Sequence, residues 1–291
     1  MQAVIYYLFL PFIYLISILP LWLLYRVSDS IYILAAFLIR YRKQVILTNL
    51  KNSFPEKTSK ELRKICNSYY KFLCDVIFET LKSFTMSKKQ RIERCNFSSE
   101  TIALLNRYYN ENKSIIVTCG HLGNWEWVAQ SLAKGSKYPF YVVYKPLSNK
   151  YFDRLMYKIR TKNEIKLIPM KETYRKIVNN KNTITATVLV ADQTPAPDSA
   201  HWATFLNQDT PIFLGAERIS KKLNYPVFFL YTKRIKRGYY KMYTEKLFDE
   251  PKLTKEGEIS EAYINQLEEA IKKQPEIWLW SHRRWKHTRD F

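Results

Sequence analysis

The sequence predicts an α/β fold, a mixed sheet flanked by helices, with an apolar membrane-anchoring helix at the N-terminus. Three observations predict it. From about residue 114 onward, β-branched runs of strand length alternate with stretches of helical length, as strands joined by crossover helices do. Ala3 to Tyr25 contains no charged residue and is dominated by Leu, Ile, Phe, Tyr and Trp. Residues 46–291 are then long enough for one large domain with its own core, and no repeat or low-complexity linker interrupts them.

Taken in order, Ala3 to Tyr25 is long enough to cross a bilayer. Pro11 and Pro20 predict a kinked or partly interfacial helix rather than a straight span. A basic start and a small-x-small cleavage site, the marks of a removable leader, are both lacking. Ile31 to Ile39 is apolar but too short to span, and Arg40, Arg42 and Lys43 follow it; with Arg26 they place the following chain on the cytoplasmic side. Residues 1–45 are therefore expected to be anchor and interfacial segment. Glu61 to Phe84 keeps a helical apolar period through Leu62, Ile65, Tyr69, Phe72, Leu73, Val76, Ile77 and Leu81. Ser114 to Cys119 reads as a strand. Strands are expected at Phe140 to Tyr144, Ile165 to Ile168 and Thr183 to Val190, alternating with helices near Tyr151 to Thr161 and Thr173 to Asn179. A helix over Ile212 to Leu223, paired strands at Pro226 to Lys233 and Tyr239 to Glu245, and a helix over Ser260 to Lys273 complete the chain.

The chemistry concentrates at Gly120 to Glu126, which reads Gly-His-Leu-Gly-Asn-Trp-Glu where a strand gives out and an amphipathic segment begins. Histidine titrates near neutrality and can take a proton from an alcohol, and a carboxylate on its far nitrogen fixes the tautomer. With a helix starting near Asn124, Glu126 lies one turn in and is expected to reach back to His121 as that carboxylate. Cys119, two residues before His121, offers an alternative reading as a Cys-His nucleophile, although a strand-end Cys more often packs. The four cysteines form no Cys-x-x-Cys pair, and the four histidines gather no local ligand set, so no metal is expected. Nucleotide cofactors are not expected either, because no Walker-type or dinucleotide glycine pattern occurs among six glycines.

With 47 basic against 26 acidic residues the net charge is +21, which draws anionic partners: lipid headgroups, a phosphorylated glycolipid or an acidic carrier protein. Aromatics interleaved with Lys, as in Tyr138 to Lys145, could stack bases, but no nucleic-acid recognition signature accompanies them. Nucleic acid is not expected as a partner.

The His-x4-Glu pattern resembles that of the glycerolipid-type acyltransferases, and its wording resembles the lipid A biosynthesis branch, the lauroyl and myristoyl transferases. The resemblance extends over nearly the whole chain: Asn49-Leu50-Lys51-Asn52-Ser53-Phe54-Pro55-Glu56 is similar to the family's Asn-Leu...Phe-Pro-Glu segment, and Glu79 stands where the family carries Glu. Tyr144-Lys145-Pro146-Leu147-Ser148-Asn149 is similar to its Tyr-Arg-Pro...Asn stretch, with Lys145 departing from the usual Arg. Arg160 falls where the family has a functional Arg. Ala191-Asp192-Gln193 resembles its Asp-Gln motif, and Pro275 to Lys286 resembles its closing Pro-Glu...Trp...His-Arg-Arg-aromatic-Lys signature.

This resemblance implies a membrane-bound acyltransferase on the cytoplasmic side of a bacterial inner membrane. The implied donor is an acyl-acyl carrier protein and the implied acceptor an anionic lipid A precursor. His121 and Glu126 would be catalytic, with Arg160, Asp192, Lys145, Arg283 and Arg284 contacting substrate or the transition state. Asp192 also has the plain alternative of capping a turn, Arg160 that of a solvated helix charge, and Arg283 and Arg284 that of an interfacial belt. Two other functions stand beside this one. The same chemistry could act on a lysophospholipid or aminolipid, or the chain could be a non-catalytic protein binding anionic lipid.

Overall fold

A computed structural model describes residues 2–162 and 164–289. Its N-terminal part is helical: α1 (Gln2–Ile18), α2 (Leu21–Ile33) running into a π-helical turn (Leu34–Leu38), α3 (Lys43–Ser53), α4 (Ser59–Lys82) and α5 (Lys88–Arg94). Then follow β1 (Cys95–Phe97), α6 (Ser99–Asn110), β2 (Ile115–Cys119), α7 (Trp125–Ser131), β3 (Phe140–Tyr144), α8 (Lys150–Thr161), β4 (Lys166–Pro169), α9 (Thr173–Asn179) and β5 (Ala186–Val190). The chain continues through β6 (His201–Phe205), β7 (Gln208–Ile212), α10 (Gly215–Leu223), β8 (Val227–Lys236), β9 (Tyr239–Phe248) and α11 (Glu258–Lys273). Seven strands form one mixed sheet in the order β1-β9-β8-β2-β5-β3-β4, antiparallel only between β8 and β9. This is the expected α/β fold. β2 is central and buried along its whole length, which is why it reads as a continuous apolar run rather than an alternating one.

The apolar N-terminal segment is not one helix. The chain breaks at Leu19 and Pro20, because Pro cannot donate to the turn before it. The carbonyls freed at the end of α1 are taken up by Lys82, whose Nζ donates to Ser17 (2.8 Å), Ile18 (3.3 Å) and Leu19 (2.9 Å), while the Thr85 hydroxyl donates to Ser17. A cation at a helix C-terminus also suits the dipole. Among the described residues, the helical stretch long and apolar enough to cross a membrane is Leu21–Leu38, further along the chain than the sequence suggested.

Both helices lie against the rest of the molecule. Tyr6 of α1 packs its ring on Tyr151 and Phe152 of α8. From α2, Ser28 donates to Asp75 (2.8 Å), and Arg237 bridges Asp29 (2.8 Å) and Asp75 (2.6 Å), to which Arg234 also donates (2.9 Å). Their outer faces carry a stripe at helical spacing, Val4, Leu8, Phe12 and Leu15, with Trp22 beyond the break, all more than half exposed. The boundary expected after residue 45 falls inside α3, whose Asn49 donates to the carbonyls of Trp280 and His282.

Two further elements depart from the sequence reading. The helix expected from Ile212 begins at Gly215, because Gln208–Ile212 pairs antiparallel with His201–Phe205. The two-residue turn of this hairpin, Leu206 and Asn207, has both residues at positive φ, the geometry that matches strand twist. Leu is a poor candidate for that conformation, but here its side chain is fully buried. The short β1 edge strand was likewise unmarked in the sequence.

Candidate active site

Strands β2 and β5 are parallel neighbours with Cys119 opposite Val190. His121 follows the end of β2 by two residues and Asp192 follows the end of β5 by two, so equal offsets from paired positions bring them together. They meet at the carboxyl ends of the parallel strands, where open α/β sheets bind ligands. The His121 N–H donates to Asp192 Oδ2 (2.7 Å), and His121 Nδ1 lies 2.7 Å from Asp192 Oδ1. A carboxylate acceptor requires Nδ1 to carry the proton, which leaves Nε2 as the basic nitrogen.

Asp192 is buried and receives a third hydrogen bond from Trp278 Nε1 (2.9 Å). Burial works against its charge, but the His121 ring and these donors outweigh it and hold the carboxyl down at about 2. Burial similarly opposes the imidazolium. The charge and hydrogen bond of Asp192, with the more distant Glu126, nonetheless raise the His121 pKa above its ordinary value.

The carboxylate on the imidazole is therefore Asp192. Glu126, expected in that place, shares no hydrogen bond with His121 among the described residues. It lies in the first turn of α7, and its two oxygens accept from Arg160 of α8, Oε2 from Nε (2.9 Å) and Oε1 from Nη2 (2.5 Å). Burial of the guanidinium is overcome by this fork, which raises the Arg160 pKa. Arg160 Nη1 makes no hydrogen bond among the described residues, whereas Nε and Nη2 are both engaged by Glu126. The signal that could have found the His121 to Asp192 pair was positional: both residues stand just past the ends of β-branched runs.

Backbone shape makes the approach possible. A Cβ on Gly120 would lie 2.8 Å from Leu267 Cδ1 and 3.2 Å from Asp192 Oδ2, and Gly123 adopts φ +66°. The loop is pinned to the C-terminal segment, since Gly123 N–H donates to the Ile277 carbonyl (3.0 Å). That amide is thereby spent within the fold. The Cys119 thiol is buried and pushed up by burial, which disfavours a thiolate nucleophile.

The remaining expected residues are dispersed. Lys145 is exposed in the loop after β3 and Arg283 is exposed near the C-terminus. Arg284 is fully buried: its Nη1 donates to the Thr210 hydroxyl, the guanidinium sits 5.6 Å from the Phe205 ring centre, and burial lowers its pKa to about 10. Expected as a substrate or transition-state contact, or as part of an interfacial belt, Arg284 is instead enclosed by the fold.

The sequence model of the bacterial lipid A biosynthesis acyltransferases matches residues 1–287. The chain belongs to that family. A comparison with individual curated proteins gave no match. For a lipid A biosynthesis acyltransferase the arrangement offers a basic imidazole nitrogen, an ionised carboxylate fixing its tautomer, and a nearby guanidinium held in a carboxylate fork.

Proposed function

We propose that this acyltransferase moves a fatty acyl chain of the lauroyl or myristoyl class from acyl-acyl carrier protein to a hydroxyl of an existing 3-hydroxyacyl chain on a lipid A precursor. His121 Nε2 takes the hydroxyl proton as the oxygen attacks the thioester carbonyl. The C–O ester bond forms, the C–S bond breaks, and the proton passes to the departing thiolate. No acyl-enzyme is needed, because the thioester is already activated and both substrates are held together. Asp192 orients the imidazole and stabilises its charged form, and Arg160, held by Glu126, faces the negative charge that develops. The observation that carries this reading is the pairing of His121 with Asp192 beside the Glu126 to Arg160 fork at the β2 and β5 ends.

The exposed stripe of α1 and α2 supports seating in a membrane, Arg26, Arg40, Arg42 and Lys43 support a site on the cytoplasmic side of the inner membrane, and the net charge of +21 suits both an acidic carrier and an anionic acceptor. The test is acyl transfer by purified protein from acyl-carrier proteins of graded chain length to a lipid A precursor, read by mass spectrometry. We expect one added acyl ester, abolished in His121→Ala. Acylation of a lysophospholipid or aminolipid but not of the precursor would overturn the acceptor, and near-normal turnover in His121→Ala the mechanism.

A further inference from the structure

Glu79, near the end of α4, is fully buried, and the reaction proposed above makes no use of it. Its carboxylate accepts three hydrogen bonds from three different elements. Oε1 takes the Tyr25 hydroxyl of α2 (2.8 Å), and Oε2 takes Asn124 Nδ2 (2.8 Å) and the Tyr240 hydroxyl of β9 (2.9 Å). Its main-chain carbonyl accepts from Trp127 Nε1 (2.9 Å). A carboxylate is a costly way to fill a buried position that needs only packing, since an apolar side chain would carry no desolvation penalty.

What Glu79 holds is the start of α7. Asn124 is the N-cap of that helix, and its Oδ1 accepts from the Trp127 N–H (3.0 Å). One end of the Asn124 amide thus caps α7 while the other end is tied to Glu79, so the side chain has a single orientation. Asn124 lies three residues after His121 and two before Glu126, so a change in its position is passed directly to the Glu126 to Arg160 fork. Of the two remaining donors, Tyr240 lies on β9 and Tyr25 belongs to the helix that carries the exposed Trp22.

We propose that Glu79 is a positioning residue for the acyl-transfer site: it fixes the start of α7 through Asn124, and through Tyr25 it ties that setting to the seating of α2. The proposal rests on the functional reading given above. Burial, opposed by the three donors, pushes the Glu79 carboxyl up to about 7, so a neutral side chain is already populated near neutrality. Glu79→Gln keeps the shape of the side chain while replacing one acceptor oxygen of the network with a donor.

The experiment compares wild type, Glu79→Gln, Tyr25→Phe and His121→Ala as purified full-length proteins in detergent. It measures kcat, KM for the acyl donor, Tm and hydrogen exchange of the peptide spanning residues 122–128. For Glu79→Gln we expect kcat to fall by about tenfold or more with KM within about twofold, and exchange in that peptide to quicken. Tyr25→Phe should move the same quantities by less. Wild-type kcat in folded Glu79→Gln, or unchanged exchange over residues 122–128, overturns the proposal, as does a lowered Tm with kcat intact, the mark of a merely structural group. Should Glu79→Gln fail to fold, Tyr25→Phe and Tyr240→Phe, each lacking one hydroxyl, decide the matter by the same two readouts. Activity that survives in His121→Ala removes the functional reading, while the exchange data still judge Glu79 alone.

Discussion

At the scale of the residue, the site divides into a base with its orienting carboxylate and a cation with its own. Asp192 lies on His121, and Glu126 lies on Arg160. Asp192→Asn should therefore damage the imidazole more than Glu126→Gln. The amide no longer fixes the tautomer or stabilises the imidazolium, and kcat should fall by about two to four orders of magnitude. The sign of the pH effect follows from the charge that is lost. Asp192 raises the His121 pKa, and the base must be neutral to act, so removing Asp192 should shift the acidic limb of kcat/KM towards lower pH, whereas Glu126→Gln should shift it less in the same direction. A limb that stays in place in Asp192→Asn would mean that the titrating base is another group. Linked stability runs with the same signs. The raised His121 pKa stabilises the fold below the unfolded value and loses that contribution as pH rises through the folded one; the lowered Asp192 pKa stabilises it above the ordinary carboxylate range and loses that as pH falls towards about 2.

At the scale of the element, the strand-to-helix turn after β2 depends on residues too small to block it. Gly120→Ala would set a methyl against the Leu267 side chain, which can yield, and against the Asp192 carboxylate, which three hydrogen bonds hold still. The expected outcome is a loss of kcat greater than the modest fall in Tm, measured on the same preparation. Unchanged kcat would show that Asp192 can move without consequence. Much of this element was legible beforehand: the β2 run, the helix opening near Asn124 and the glycines around His121 all stood out in the sequence. The partner of His121 did not, because spacing along one chain favours a neighbour five residues away, whereas the contact that forms joins residues 71 apart through the register of adjacent strands. The β6 to β7 hairpin was hidden for a related reason, as its turn uses a buried Leu at positive φ where composition points to Gly or Asn. Arg284 carries the charge that suggests a surface contact, and only the folded chain reveals the Thr210 and Phe205 that enclose it.

At the scale of the whole molecule, apolar surface and charge make separable contributions. The exposed stripe on α1 and α2 should keep the protein in the membrane fraction through high-salt washing, because apolar transfer does not depend on counterions, and detergent should be needed to release it. The net charge of +21 acts across solvent and is screened over roughly 8 Å at physiological ionic strength. KM for an acidic carrier should therefore rise with salt while membrane retention holds, and release of the intact chain by salt alone would reverse that division of roles. The equal offsets of His121 and Asp192 from the Cys119 to Val190 pair also bear on how this molecule tolerates genetic change. One extra codon after either strand would move that partner by roughly 3.3 Å along the chain and turn its side chain to the opposite side, with every amino-acid identity preserved. Scanning insertions should accordingly find two narrow intolerant windows, one behind each strand, where a single added alanine is as damaging as loss of the histidine itself.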